Sequence, residues 1–157
     1  MKGRYIKPNS VKTLEALADA AARRKHPTMP YLAPRKYRDD SANSLTRCII
    51  DFLRLSGWQA ERINCTGRPQ DNTKIVTDVV GNMRQIGSVK WLPTSGQKGT
   101  ADLSATIRGR SVKIEVKMKD KQSEVQKQYQ SAVEKAGGVY WLVRSFDEFM
   151  NSYNQTI

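Results

Sequence analysis

The sequence predicts an α/β fold in which a mixed β-sheet is flanked by helices, with a basic helical arm ahead of it. Three observations carry this. Two neighbouring segments, 101–107 and 111–118, alternate apolar and polar residues about the turn sequence RGR. Other segments repeat apolar residues at helical spacing. Basic residues crowd into the first quarter of the chain.

In chain order, 11–25 places Val11, Leu14, Leu17, Ala18 and Ala21 on one helical face. Ser10 suits its N-cap, and Arg23, Arg24 and Lys25 suit the negative end of the helix dipole. Pro27, Pro30 and Pro34 then end the helix and make a linker, so the compact domain is expected over 39–157 and the arm over 1–38. Residues 41–57 form the next helix, with Leu45, Cys48, Ile49, Phe52 and Leu55 on one face and Gly57 as its stop. A strand follows from Trp58.

Residues 65–75 are polar and contain Gly67 and Pro69, the composition of a loop, whereas 76–93 fits short strands or one short helix. After the alternating pair comes a helix over 123–136, with Val125, Tyr129, Ala132, Val133 and Ala136 on its apolar face. Gly137-Gly138 stops it. VYWLV is a short buried strand, which makes Trp141 a core residue, and SFDEFMNSY is a terminal helix.

Composition narrows the function. The chain has 157 residues, 27 of them Lys or Arg and 15 Asp or Glu, for a net charge of +12. Residues 1–38 hold ten basic residues against Glu15 and Asp19, a net +8, the electrostatic footprint of an anionic partner, nucleic acid first. The bland alternative is a solubilising tail. Trp58 and Trp91 are candidates to stack on bases. Cys48 and Cys65 cannot build a disulfide framework or a four-ligand zinc site, and the lone His26 excludes chemistry that needs paired imidazoles. No apolar run approaches the roughly 18 residues that cross a bilayer, and no signal-peptide pattern opens the chain, so a cytoplasmic protein with no membrane partner is expected. There is no GxxxxGKS phosphate loop, hence no nucleotide cofactor.

The alternating pair carries the chemistry. Opposed residues of an antiparallel hairpin share a face. With Arg108-Gly109 as the loop, opposed numbers sum to 217 and Asp102 meets Glu115; with Gly109-Arg110 they sum to 219 and Asp102 meets Lys117. Both registers gather Asp102, Glu115 and Lys117 on one face and leave Leu103, Ala105, Ile107, Val112, Ile114 and Val116 on the other. Carboxylate oxygens are hard ligands for Mg²⁺, and an adjacent ammonium can orient or deprotonate water. A surface ladder of ion pairs is the alternative reading of the same three residues.

GTAD at 99–102 followed by IEVK at 114–117 resembles the PD-(D/E)XK nuclease signature. DKQSEVQKQY at 120–129 and EKAGGVYWLV at 134–143 make residues 41–150 similar to the VRR-NUC branch (virus-type replication-repair nucleases) in its phage-like single-domain form. The resemblance implies a restriction-endonuclease-like core and a Mg²⁺-dependent DNA endonuclease, with Mn²⁺ able to substitute. It implies Asp102, Glu115 and the Val116 backbone carbonyl as metal ligands and Lys117 as the catalytic lysine. Gln126 matches a family glutamine near the active site, although Ser123 to Gln126 is equally a capping box. Related nucleases often add a glutamate on the first domain helix; 43–46 contains none, and Asp51 and Glu61 are the nearest acids. Arg62, Arg84, Lys98, Lys119 and Lys121 are expected to contact nucleic acid. Branched, flapped or Holliday-junction DNA and a homodimer are further implications of the resemblance. A non-catalytic DNA-binding module on a decayed nuclease fold, and an RNA-binding protein, are the readings from other classes.

Overall fold

The computed structural model describes residues 5–63, 67–93 and 96–156. It divides into two units, Met1–Ile63 with Gly99–Ile157, and Asn64–Lys98. The first is the mixed α/β body expected from the sequence.

Helices α1 (Asn9–Lys25) and α2 (Ala42–Leu55) precede strand β1 (Gln59–Arg62). After the second unit come β6 (Leu103–Ile107), β7 (Arg110–Val116), α3 (Glu124–Lys135), β8 (Val139–Val143) and α4 (Phe146–Thr156). The sheet runs β1-β6-β7-β8. β1, β6 and β7 pair antiparallel, and β8 joins β7 in parallel after the crossover through α3.

The β6–β7 register is the one that sums to 217, with Leu103 opposite Ile114 and Ile107 opposite Arg110. Arg108 and Gly109 both have positive φ, 49° and 78°, as a two-residue hairpin turn requires. Ala60, Leu103, Ala105, Ile107, Val112, Ile114, Val116, Trp141 and Val143 form the apolar face, all buried. Helices α1, α2 and α4 supply the opposing core, including Leu14, Leu45, Ile49, Leu53, Phe146 and Phe149. Phe52, Phe149 and Trp141 meet there edge to face, with centroids 5.7 and 5.9 Å apart.

Four expectations are corrected. Ser10 does not cap α1: the helix starts one residue earlier behind Pro8, whose fixed φ of −63° presets the entry, and the Ser10 hydroxyl is buried with no partner among the described residues. Helix α3 buries none of its residues fully, and Val125 is 46% exposed. The reason is that α3 covers the polar face of the sheet, where its glutamines matter more than its apolar stripe. Residues 68–71 and 74–75, expected as loop, are strand; 65–66 lie outside the described residues. Trp58 is not a base-stacking residue, because its indole nitrogen donates to the Tyr153 hydroxyl (2.8 Å) and it packs against the core.

Helix α1 places Val11, Leu14 and Ala18 in the same core as the sheet. Both acids of the basic segment are used as anchors: Asp19 accepts from the Arg35 amide and Glu15 from the Tyr37 amide, each at 2.7 Å. Buried Asp39 accepts from the Tyr5 hydroxyl (2.7 Å) and the Phe146 amide (3.1 Å), joining the start of the chain to α4.

The second unit is a two-stranded ribbon. β2 (Arg68–Asp71) pairs with β5 (Val89–Leu92), and β3 (Lys74–Thr77) with β4 (Met83–Ile86). The segment 76–93, open to strands or a helix in the sequence, is therefore strand. Its side chains are almost all exposed, so burial imposes no periodicity for a sequence to display.

Candidate active site

The site lies at one end of the β6–β7 hairpin. At that end β6 stops pairing one residue after Asp102, and the Asp102 side chain continues the ladder: its Oδ2 accepts from the Val116 amide at 2.9 Å. Its carbonyl accepts from the Ile63 amide at 2.8 Å. Asp102 is thus fixed by the strands on both sides.

Glu115 projects from β7 to the same face and is 2% exposed. Its Oε1 accepts from Lys117 Nζ at 3.1 Å and from Gln126 Nε2 at 2.5 Å. Its Oε2 is buried with no partner among the described residues. Burial pushes the carboxyl above its ordinary range and the neighbouring Asp102 charge pushes it further, against the opposing pull of Lys117. The lysine keeps 18% of its side chain exposed.

Gln126 resolves a question the sequence left even. Its Oε1 accepts from the Ser123 amide (3.0 Å) while Ser123 Oγ accepts from the Gln126 amide (3.3 Å), a complete capping box. The free amide nitrogen of the same side chain reaches Glu115. Capping orients the amide, and the amide holds the carboxylate. Gly99 of GTAD explains how α3 comes so near: its φ is +79°, and a Cβ there would lie 2.7 Å from the Val125 carbonyl oxygen.

One neighbour escaped sequence reasoning. The β7–β8 register sets Tyr140 opposite Lys113 and therefore on the Glu115 face, buried. Burial, then the Glu115 charge, pushes its hydroxyl up, while Gln122 Nε2 donates to it at 3.4 Å. In an all-apolar run such as VYWLV the facing of each residue is set by parallel register, which the sequence does not display.

Other expected residues are placed as follows. Lys119 and Lys121 are exposed in the connection from β7 to α3, next to Lys117 in sequence. Arg62 ends β1 exposed and donates to Asn43 Oδ1 at 3.1 Å, where a helix glutamate was sought. Arg84 and Lys98 belong to the second unit. Asp51 is committed elsewhere, to the Tyr37 hydroxyl (2.8 Å) and Arg47 (3.7 Å), and Glu61 is exposed on β1. Cys48 is a core residue: its thiol donates to the Arg38 carbonyl, and burial pushes it up to about 12. Cys65 lies outside the described residues, and His26 is an exposed helix terminus.

The donor set fits a hard divalent cation. Asp102 and Glu115 offer oxygen ligands, and a cation would give Glu115 Oε2 the partner it lacks among the described residues. Among the described residues no third acidic, His or Cys side chain joins the two carboxylates. No family model, curated protein or solved structure matches this chain.

Proposed function

We propose that the protein is a Mg²⁺-dependent DNA endonuclease of the VRR-NUC type. The single observation that carries this reading is Glu115, a buried carboxylate with one oxygen shared by Lys117 and Gln126 and the other unpartnered among the described residues, beside Asp102. A ladder of surface ion pairs would be solvated and would need neither the burial nor the orphaned oxygen.

Asp102, Glu115 and the Val116 carbonyl would hold the cation, and Mn²⁺ would substitute for Mg²⁺. When bound, the ion supplies Lewis acidity toward a phosphate oxygen and toward water. Gln126 fixes the Glu115 carboxylate through its capped helix end, so the ligand is preorganised before substrate arrives. Lys117, anchored on Glu115 Oε1, orients the attacking water and offsets charge developing on the phosphate. Lys119, Lys121 and Arg62 extend positive charge along the backbone of the DNA. The resemblance favours branched, flapped or Holliday-junction DNA, cut by a homodimer whose two sites act on opposing strands.

Labelled linear, flapped and four-way-junction DNA, incubated with Mg²⁺, Mn²⁺ or EDTA, tests the proposal. Cutting that needs the metal and is lost in Lys117→Ala supports it. Tight binding without cutting in either metal would favour the second reading, a non-catalytic DNA-binding module; the two-carboxylate site, without a helix glutamate, is the observation behind that alternative.

A further inference from the structure

The ribbon of the second unit has two chemically distinct faces. Both of its strand pairs share one register, in which opposed numbers sum to 160: Arg68 faces Leu92, Gln70 faces Lys90, Lys74 faces Ile86 and Val76 faces Arg84. The Asn72 amide donates to the Ser88 carbonyl (3.3 Å), which carries that register across the gap between the pairs. Within each pair, even-numbered residues therefore share one face and odd-numbered ones the other, and Gly87, with a φ of +93°, interrupts the strand between the pairs.

Every cation of the paired strands, Arg68, Lys74, Arg84 and Lys90, is even-numbered and exposed. The odd face carries Pro69, Ile75, Met83, Val89 and Trp91 and no cation, while Val76, Ile86 and Leu92 stand among the cations on the even face. The two carboxylates of the ribbon are engaged by its own turns. Asp71, on the odd face, accepts from the Thr73 amide and hydroxyl (2.8 and 2.6 Å). Asp78, at the tip, accepts from the Val80 and Asn82 amides (3.0 and 2.9 Å) and lies 3.6 Å from Arg84.

We propose that the even-numbered face of residues 68–92 is a duplex-DNA-binding surface that enters the major groove. This rests on DNA as the partner in the reading above, but not on cleavage. Charge complementarity selects a polyanion, and shape selects the duplex. Strands about 4.8 Å apart make a ribbon that fits a groove about 12 Å wide, whereas the major groove of A-form RNA is closed to side chains. The ten residues from Arg68 to Thr77, eight of them paired, span some 30 Å at about 3.3 Å each, close to one turn of B-DNA. The cations recur along that length and sit on the phosphates, while Gln70, Asn72 and Ser88 on the same face are left to meet base edges.

Two variants of the full chain separate facing from mere charge. One neutralises Arg68, Lys74 and Lys90 to Gln. The other exchanges neighbours (Lys74→Ile with Ile75→Lys, and Val89→Lys with Lys90→Val), keeping composition and net charge but turning two cations to the odd face. Binding to a 30-bp duplex is read by fluorescence anisotropy across a KCl series in EDTA, with circular dichroism confirming that each variant is folded. Neutralisation should weaken binding at least tenfold and flatten the log–log salt slope by about 2 to 3, at roughly 0.9 per phosphate contact. The exchange variant should weaken it as well, with a slope flatter by about 2. Exchange-variant binding equal to wild type, equal affinity for double-stranded RNA, or no duplex binding by the wild-type chain would each overturn the proposal. A ribbon that served only to join two copies through Ile75 and Met83 would leave the neutralised variant binding as wild type, which overturns it too. The two claims are separable, since duplex binding in EDTA tests the ribbon whether or not the wild-type protein cuts in Mg²⁺.

Discussion

Glu115 concentrates two opposed demands on one side chain. Burial and the adjacent Asp102 disfavour its charge, and its Oε2 finds no partner among the described residues, so in the metal-free protein the ionised form is a cost to folding. With the folded-state pKa above the unfolded one, the folded chain binds the extra proton. Stability is then lost as pH rises from the ordinary glutamate range through the raised value. In EDTA at pH 8, Glu115→Gln should therefore raise Tm, by something on the order of 2–4 °C at this chain length, and the gain should vanish at pH 4. Adding Mg²⁺ should raise the Tm of the wild type but not that of Glu115→Gln, as a ligand bound only by the folded state requires. Gln126 can be dissected in the same way. Ser123→Ala removes only the cap and should cost about 1 kcal/mol in urea unfolding with little change in cleavage at saturating DNA. Gln126→Ala also frees Glu115 and should lower cleavage as well as stability.

Among the elements, the β6–β7 hairpin was the most legible. Strict alternation set its faces, the RGR turn limited it to two registers, and both put Asp102, Glu115 and Lys117 together. Helix α2 was legible for the same reason, a strong apolar period, and strand β8 as a short continuous apolar run after Gly137-Gly138. Helix α3 was less so, because its inward face carries glutamine: Gln126 and Gln130, with Gln122 just ahead of the cap, serve a polar sheet face that hydropathy cannot flag. Tyr140 stayed hidden because parallel register set its face. The basic segment shows a third limit, since its charge suggests an arm while Val11, Leu14 and Ala18 place α1 in the core. Removing residues 1–38 should accordingly abolish cooperative thermal unfolding instead of merely flattening the salt dependence of DNA binding. Leu14→Ala alone should cost about 2–5 kcal/mol. Gly99→Ala should destabilise by about 1–3 kcal/mol through its positive φ and the close Val125 carbonyl, and should weaken the α3 contact to Glu115.

At the scale of the whole molecule, +12 of net charge surrounds one small, preorganised acidic site. No described helix is long and apolar enough to cross a membrane, and 27 Lys and Arg stand against 15 Asp and Glu. Such a chain gathers polyanions at low salt with little selectivity, so binding alone says little about chemistry. What sets a nuclease apart is hydrolysis that depends on Asp102, Glu115 and Lys117 while affinity does not. The most direct measurement is the single-turnover cleavage rate of a four-way junction by Lys117→Ala in saturating Mg²⁺, set beside its Kd for the same junction. A rate at least 100-fold below wild type, with Kd changed less than threefold, is the predicted result. Wild-type protein that binds the junction and never cuts it, or a variant that cuts as fast as wild type, would contradict the assignment of this site.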